Sequence, residues 1–349
     1  MTRIGHARRL VMAAGLGFGV LGGGWGGLGG VALAQEDFVP PEVAVTEHNA
    51  ALIYFRAWLS MSSELDWTLE DEGDGYALAE GGREELLKSQ PSIRALLKAS
   101  RQSHADWGVE YEQGPHALLP SLGRMRYTSK VLAADALRCA GDGDASGAAE
   151  RLGAIYRSGV HLSSQRVLIS SLVGMAIANL GNRLTEQMLE AGQLDEGSAR
   201  SLLRAMDSID PSNPMRLRET VSGERDIVSD YIIAHCTGER AGELLRALAS
   251  SMLGSIPEAD ENPLYAMNGA ELRNDIAVFR TFYDDVLAVW DDEDASRKIA
   301  ELGDRVGEGE YGHFAKLFAA SFGRARQNAE AFEDEFTALR ARLEALAEG

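Results

Sequence analysis

Glu224 and Arg225 are the residues whose placement most directly suggests chemistry. Glu224 falls within a stripe of apolar residues that recur at helical spacing from Leu217 to Ile232. A carboxylate drawn into a helix interface holds its proton more tightly than one in water, so it can serve as a general acid or base. The structural alternatives are an ion pair between Glu224 and a nearby arginine, because such pairs also occupy helix interfaces, or an edge of the stripe that is open to water.

His104 and Trp107 are a second pair of candidates. They lie with Asp106 in a stretch that lacks helical periodicity, and Tyr111 and His116 follow. Imidazole, carboxylate and aromatic groups together are typical of pocket linings. Docking of this loop on neighbouring helices is the structural alternative. We therefore take His104 and Trp107, together with Glu224 and Arg225, as candidate buried polar or pocket residues.

The segment from Asp142 to Gly147 resembles the first half of a calcium-binding EF-hand loop. Alternating oxygen ligands followed by glycine let a chain wrap around a hard cation. The twelfth position of such a loop is a bidentate glutamate, and here it is Gly153. A turn between two helices, with Asp144 as the N-cap of the second, explains the same residues, and we favour it.

Other site motifs are missing from the sequence. No two of the seven histidines lie three or four positions apart, which a zinc pair on one helix requires. The chain also lacks Gly-x-Ser-x-Gly, Ser-x-x-Lys and a Gly-x-x-x-x-Gly-Lys phosphate loop. We therefore predict no cofactor, no bound metal and no catalytic residue.

Residues 1–34 have the three parts of a secretory signal peptide. Arg3, Arg8 and Arg9 open it, an uncharged stretch follows, and Ala32-Leu33-Ala34 forms a small-x-small cleavage site. Eleven glycines argue against a retained membrane anchor. We predict cleavage after Ala34 and a periplasmic or secreted location. The Arg8-Arg9 pair leaves twin-arginine export open beside the general secretory route.

The charge balance limits the classes of partner. The chain carries 34 basic and 53 acidic residues, a net charge of −19, and loss of residues 1–34 would make it −22. Phosphate backbones and anionic membrane surfaces repel such a protein. We predict no nucleic-acid partner, no membrane segment after signal cleavage and an unidentified protein partner. Basic partners, divalent cations and neutral ligands all remain open.

Cys139 and Cys236 are the only cysteines. An exported compartment permits a disulfide between them. Both, however, fall on apolar helical stripes, where a free thiol acts as a small hydrophobic side chain. The spacing leaves both alternatives open.

Apolar residues recur every three to four positions along most of the chain, which predicts an all-α fold. We expect antiparallel helix pairs packed as a bundle or short superhelix. Thr46, Pro91, Pro120 and Asp144 mark predicted helix starts. The uncharged stretch 167–182 is predicted to be a central buried helix. Strand signals are nearly absent, and residues 66–82 are predicted to form a long exposed loop.

Two long helices are predicted to close the chain. Apolar residues alternate by four and three from Leu272 to Trp290 and again from Ala325 to Leu346. We predict a helical core domain over residues 35–263 and a C-terminal helical hairpin, residues 264–349, docked on it.

Residues 128–163 resemble the helix-turn-helix unit of tetratricopeptide repeats. Alanines 133, 134 and 136, the Gly141-Asp142 turn and the Ala148-Ala149 pair carry the resemblance, which covers about one repeat. The mature chain as a whole resembles exported bacterial all-helical proteins of unknown function. The segments that carry this second resemblance are 49–57, 141–142, 214–215 and 223–225. Both resemblances imply packed helix pairs.

These patterns favour an exported, non-enzymatic interaction or scaffold protein of the cell envelope. The alternative is an envelope hydrolase or lyase that acts on carbohydrate with paired carboxylates on an α/α fold. That site would place Trp58 or Trp107 beside two facing carboxylates in a deep cavity.

Overall fold

Prolines and short polar side chains set the starts of the helices in the computed structural model. The structure describes residues 48–61, 65–73, 75–253, 263–319 and 321–349. The first seven α-helices in the described chain are α1 (Ala50–Ser60), α2 (Gly82–Lys88), α3 (Gln90–Ser100), α4 (Ser121–Gly141), α5 (Ala145–Leu162), α6 (Leu168–Glu190) and α7 (Glu196–Met206). The next six are α8 (Leu217–His235), α9 (Ala241–Leu253), α10 (Gly269–Ala288), α11 (Ala295–Glu308), α12 (Gly312–Phe318) and α13 (Phe322–Glu348). The fold is all-α, as predicted.

N-terminal caps explain several of these boundaries. The side-chain oxygens that accept a first-turn N–H group belong to Asn49 before α1, Asp144 before α5, Asp195 before α7 and Asn268 before α10. The predicted starts at Pro91 and Pro120 are confirmed, because Pro91 lies in the first turn of α3 and Pro120 directly precedes α4. Thr46 and the signal peptide lie outside the described residues.

The prediction of an exposed loop over residues 66–82 is wrong. The chain there forms a 3-10 turn (Leu65–Thr68) and an antiparallel hairpin of two short strands, β1 (Leu69–Asp71) and β2 (Tyr76–Leu78). Strands of three residues are too short to show a clear period-2 alternation, which is why the pattern did not predict them.

A glutamine on α6 holds this hairpin. Gln187 accepts a hydrogen bond from the N–H of Tyr76 at 2.9 Å and donates one to the Tyr76 carbonyl at 2.8 Å. The guanidinium of Arg183 lies 4.5 Å from the centre of the Tyr76 ring. One helix therefore supplies both the backbone partners and a cation–π contact for the strand.

The described chain folds as two compact units. The larger comprises residues 48–109, Leu118–Leu217 and Ala329–Gly349, and the smaller comprises Glu110–Ala117 and Arg218–Asn328. The predicted domain boundary between residues 263 and 264 follows a segment, 254–262, that lies outside the described residues. That boundary stays a prediction.

Helix α5 lies at the centre of the larger unit, where it packs against α3, α4, α6 and α7. The helix predicted to be central, α6, is one of these neighbours, and most of its side chains between Leu168 and Asn182 are buried, as predicted. Its backbone approaches α5 where two glycines meet, because a Cβ on Gly159 would lie only 2.7 Å from the carbonyl oxygen of Gly174. Within the described residues, no helix combines the length and the apolar character that a membrane span requires.

Helices α4 and α5 form a hairpin joined by a three-residue turn. Ala133, Ala136 and Ala148 are fully buried. Gly143, with φ +73°, supplies the left-handed conformation that the turn requires. Residues Ala329–Gly349, which include most of α13, also pack in this unit, where the ring of Phe336 meets that of Tyr156 edge-on at 6.1 Å.

The smaller unit has an aromatic core. The rings of Phe279 and Phe314 lie 4.8 Å apart, and those of Tyr283 and Phe322 lie 5.4 Å apart. All six predicted seam positions from Leu272 to Trp290 are buried; five lie in α10, and Trp290 follows its end. The structure also contains α11 and α12 between the two predicted C-terminal helices. The acidic and glycine-containing sequence of this stretch does not predict them.

Both cysteines are free and buried. Burial raises the pKa of the Cys139 and Cys236 thiols. The thiols therefore stay protonated at neutral pH and pack as small hydrophobic groups.

Candidate functional site

Trp107 is a core residue and His104 a surface residue. Trp107 is only 3% exposed, and its indole N–H donates to the carbonyl of His161 at 2.8 Å. His104 is exposed, and its carbonyl accepts a hydrogen bond from Ala50. Asn49 holds the same loop by accepting from the N–H of Asp106 and donating to its carbonyl. The structure thus assigns this stretch the role of a docked loop.

A buried polar cluster lies behind Trp107. The Tyr54 hydroxyl is 3.1 Å from Oγ of Ser158 and 3.2 Å from Nδ1 of His161. Nε2 of His161 lies 2.9 Å from the carbonyl oxygen of Gln102, which can only accept, so Nε2 carries the hydrogen. Burial is the main reason that the pKa of His161 falls to about 4, and Arg157 and His104 lower it further. The imidazole is therefore neutral at pH 7 and sealed from solvent.

Glu224 and Arg225 lie in the smaller unit, on α8. Glu224 is half-buried rather than enclosed in the helix interface. Arg225 forms ion pairs with Asp226 at 2.8 Å and with Asp284 at 2.7 Å. The hydrogen bonds that Arg225 donates to Asp226 are the first cause of the raised pKa of Arg225. Trp107 and His104 belong to the other unit, so the four candidates do not form one site within either unit.

The Asp142 segment is a helix-linking turn, as favoured. Oδ1 of Asp144 accepts the N–H of Gly147 at 2.8 Å and caps α5. Asp142 forms ion pairs with Arg83 and Arg138. Among the residues that the structure describes, no group of three or more histidine, cysteine or acidic side chains is arranged to hold a metal ion.

A fully buried carboxylate joins α4 to α5. Oδ1 of Asp135 accepts from Nε of Arg138 at 2.6 Å and from Gln90 at 3.0 Å, and Oδ2 accepts from Nε of Arg151 at 2.7 Å. Three donors satisfy the charge that burial would otherwise penalise. The network fixes Arg151, whose other hydrogen bonds go to the Gly147 carbonyl and to Glu150.

Arg151 forms part of the wall of a cavity in the larger unit. The cavity has a volume of about 540 Å³ and lies where the end of α3, the first turns of α5 and the middle of α7 meet. Three arginines (Arg101, Arg151, Arg157), two acids (Asp144, Glu150) and the small residues Ser146, Gly147, Ala149, Gly153, Ser201 and Ala205 line it.

Helix geometry aims Arg157 at this cavity. Long helical side chains lean toward the N-terminus of their helix. Accordingly, Nη1 of Arg157 lies 3.6 Å from where a Cβ on Gly153, one turn earlier, would be. Gly153 also lets α5 approach α7, because that Cβ would lie 3.0 Å from the Cβ of Ala205.

Sequence patterns did not identify this cavity, because its arginines lie far apart in the sequence. Arg101 follows α3, whereas Arg151 and Arg157 are both on α5. The sequence contains one indication of the buried network beside the cavity. Asp135 and Arg138 lie three positions apart on one helix, which is the spacing of an ion pair.

No protein family, curated protein or solved structure matches this chain. We therefore infer the function from the geometry of the described residues, the net charge of the chain and the signal-like residues 1–34.

Proposed function

We propose that this protein is an exported, non-enzymatic interaction protein of the cell envelope that binds a protein partner. The main support is the mutual stacking and burial of three aromatic side chains in the larger unit. Tyr54, Trp58 and Trp107 stack on one another with ring centres 5.8 to 6.1 Å apart, and each is less than 10% exposed. These rings stabilise a rigid helical scaffold and are closed to a substrate.

Helix pairs give such a scaffold its binding surfaces. The α4–α5 hairpin is similar in outline to a tetratricopeptide unit, and stacked units of that kind present extended surfaces to partners. Because the helices are already rigid, few residues become ordered on binding, and the entropic cost of association is lower.

The charge of the chain supports a basic partner. With a net charge of −19, a polypeptide rich in lysine and arginine is attracted, whereas nucleic acid is repelled. The signal-like residues 1–34 support a periplasmic or secreted location. This segment lies outside the described residues, so the support comes from its sequence alone.

The carbohydrate-enzyme alternative has less support. It requires two facing carboxylates beside exposed rings, but Trp58 and Trp107 are buried. The two acids that line the cavity described above have other roles, because Asp144 caps α5 and Glu150 forms ion pairs with Arg101 and Arg151.

Affinity capture from envelope extract tests the proposal. The purified protein is the bait, and an unrelated helical protein of similar net charge is the control bait. We expect a polypeptide that only this chain retains, whose binding to the purified bait is saturable and weakens in salt because exposed charges are screened. Retention of the same polypeptides by both baits would contradict partner binding. Turnover of envelope polysaccharide by the pure protein would contradict the non-enzymatic role.

A further inference from the structure

The arginines that line the cavity differ in whether a carboxylate pairs with them. Of its two lining acids, Asp144 directs its carboxylate to the N–H of Gly147, and Glu150 forms ion pairs with Arg101 and Arg151. Arg151 is further neutralised by the buried Asp135. In the part of the chain that the structure describes, no carboxylate lies within ion-pair distance of Arg157.

The charged neighbours of Arg157 are mostly other cations. Burial is the largest cause that lowers the pKa of its guanidinium, and the positive charges of Arg101 and Arg204 lower it further. A half-buried cation without a counter-charge is unfavourable, since both desolvation and like-charge repulsion oppose it. Such a cluster is unexpected in a chain with 53 acidic and 34 basic residues, where carboxylates are plentiful.

An oxyanion supplies what this cavity lacks. The planar guanidinium binds a carboxylate or phosphate group through two parallel hydrogen bonds. Ser146 and Ser201 line the same cavity and add hydroxyl groups. The first-turn N–H of Gly147 is already capped by Asp144, so the guanidinium rather than the helix terminus would hold the anion.

We propose that this cavity binds a small organic molecule through an oxyanion group, a carboxylate or a phosphate, held by Arg157. Its volume of about 540 Å³ is within the range of small-molecule sites and is far larger than a bare inorganic anion needs. The room beyond the anion lies beside Ala149, Gly153 and Ala205, where an organic body would fit. This site is distinct from the proposed protein-binding role, and either can hold without the other.

Calorimetric titration of the purified full chain at constant ionic strength tests the proposal. The probes are glycerol 3-phosphate, succinate and inorganic phosphate, with chloride as the reference anion. We expect saturable 1:1 binding of at least one organic probe, tighter than that of inorganic phosphate. A preference for glycerol 3-phosphate assigns the phosphate group, and a preference for succinate assigns the carboxylate.

Variants at Arg157 locate the binding. We expect Arg157→Gln to weaken it roughly tenfold or more and Arg157→Lys to weaken it less, because lysine keeps the charge but loses the bidentate geometry. Arg200→Gln is the matched control, since Arg200 lies on α7 but is exposed and paired with Glu196. It should leave the affinity unchanged.

The ligand-free unfolding temperature separates a binding role from a structural one. Arg157→Gln should keep or raise that temperature, because it removes a cation that has no counter-charge. Three results would overturn the proposal: no saturable binding of either organic probe, equal binding by wild type and Arg157→Gln, or a lower unfolding temperature of the ligand-free Arg157→Gln protein.

Discussion

At the scale of single residues, buried polar groups do much to set the stability of the larger unit. Asp135 is completely buried and accepts hydrogen bonds from two arginines and a glutamine. Removal of one partner from such a network leaves buried charges unpaired. The resulting loss of stability is larger than the stability that the intact network contributes. His161 is the second such group, neutral and enclosed by Tyr54 and Trp107.

Asp135→Asn should destabilise the protein strongly. The variant keeps the shape of the side chain but leaves Arg151 and Arg138 without their shared carboxylate, a loss of about 3 kcal/mol or more in the free energy of unfolding. Urea denaturation measures it. Asp142→Asn is the matched control, because Asp142 also pairs with Arg138 but at the surface, so its effect should be much smaller. Equal effects of the two variants would contradict the importance of burial.

The His161 imidazole should make stability depend on pH. An unfolded histidine binds a proton near pH 6.5, whereas folded His161 does so only at about pH 4. Between these values the unfolded state binds more protons, so stability falls as the pH decreases from about 6.5 to about 4. The loss is on the order of 3 kcal/mol.

Unfolding free energies measured across this pH window test the histidine prediction. The slope should be smaller in His161→Gln than in wild type, because the group that gains the proton on unfolding is gone. His116→Gln replaces an exposed histidine of the smaller unit and should keep the wild-type slope. A His161→Gln protein with an unchanged slope would show that another group causes the pH dependence.

At the scale of elements, close helix approach depends on a few small residues. Gly159 and Gly174 let α5 and α6 touch through their backbones. Gly153 does the same for α5 and α7, and it creates the space beside Arg157. One helix, α5, therefore both holds the core together and forms a wall of the arginine-lined cavity.

Gly159→Ala should destabilise the larger unit by about 3 kcal/mol, since the new methyl group would overlap the Gly174 carbonyl and force the helices apart. Gly123→Ala is the matched control. Gly123 lies in α4 with open space around it, so alanine there should raise stability by roughly 0.5 to 1 kcal/mol through its helix propensity. Thermal unfolding distinguishes the two, and a stable Gly159→Ala protein would contradict the backbone contact.

Most helices could be predicted from the sequence, but most contacts between them could not. Proline positions and apolar spacing placed α3, α4 and α5 correctly, because these signals act within a few residues. The hairpin at Tyr76 depends on Gln187, more than a hundred residues later, and no local pattern reports such a partner. The sequence predicts Trp107 as a pocket residue because an aromatic side chain in a loop looks the same in sequence whether it is covered or open.

At the scale of the whole molecule, the excess of acidic residues should govern association. A net charge of −19 attracts basic polypeptides over distances of about 10 Å and loses that effect as salt rises. The arginine cluster around Arg157 is a local exception to this overall charge. Added lysine-rich peptides should therefore weaken protein binding but not small-anion binding. Added succinate should weaken small-anion binding but not protein binding.

The mass of the complex that the protein forms in gently lysed cells shows whether it binds a second polypeptide. Size-exclusion chromatography with light scattering gives that mass, and mass spectrometry gives the composition. We expect a discrete complex with a second polypeptide, larger than the 37.6 kDa chain, that dissociates in high salt. A species that contains this chain alone, at low and high salt alike, would contradict it.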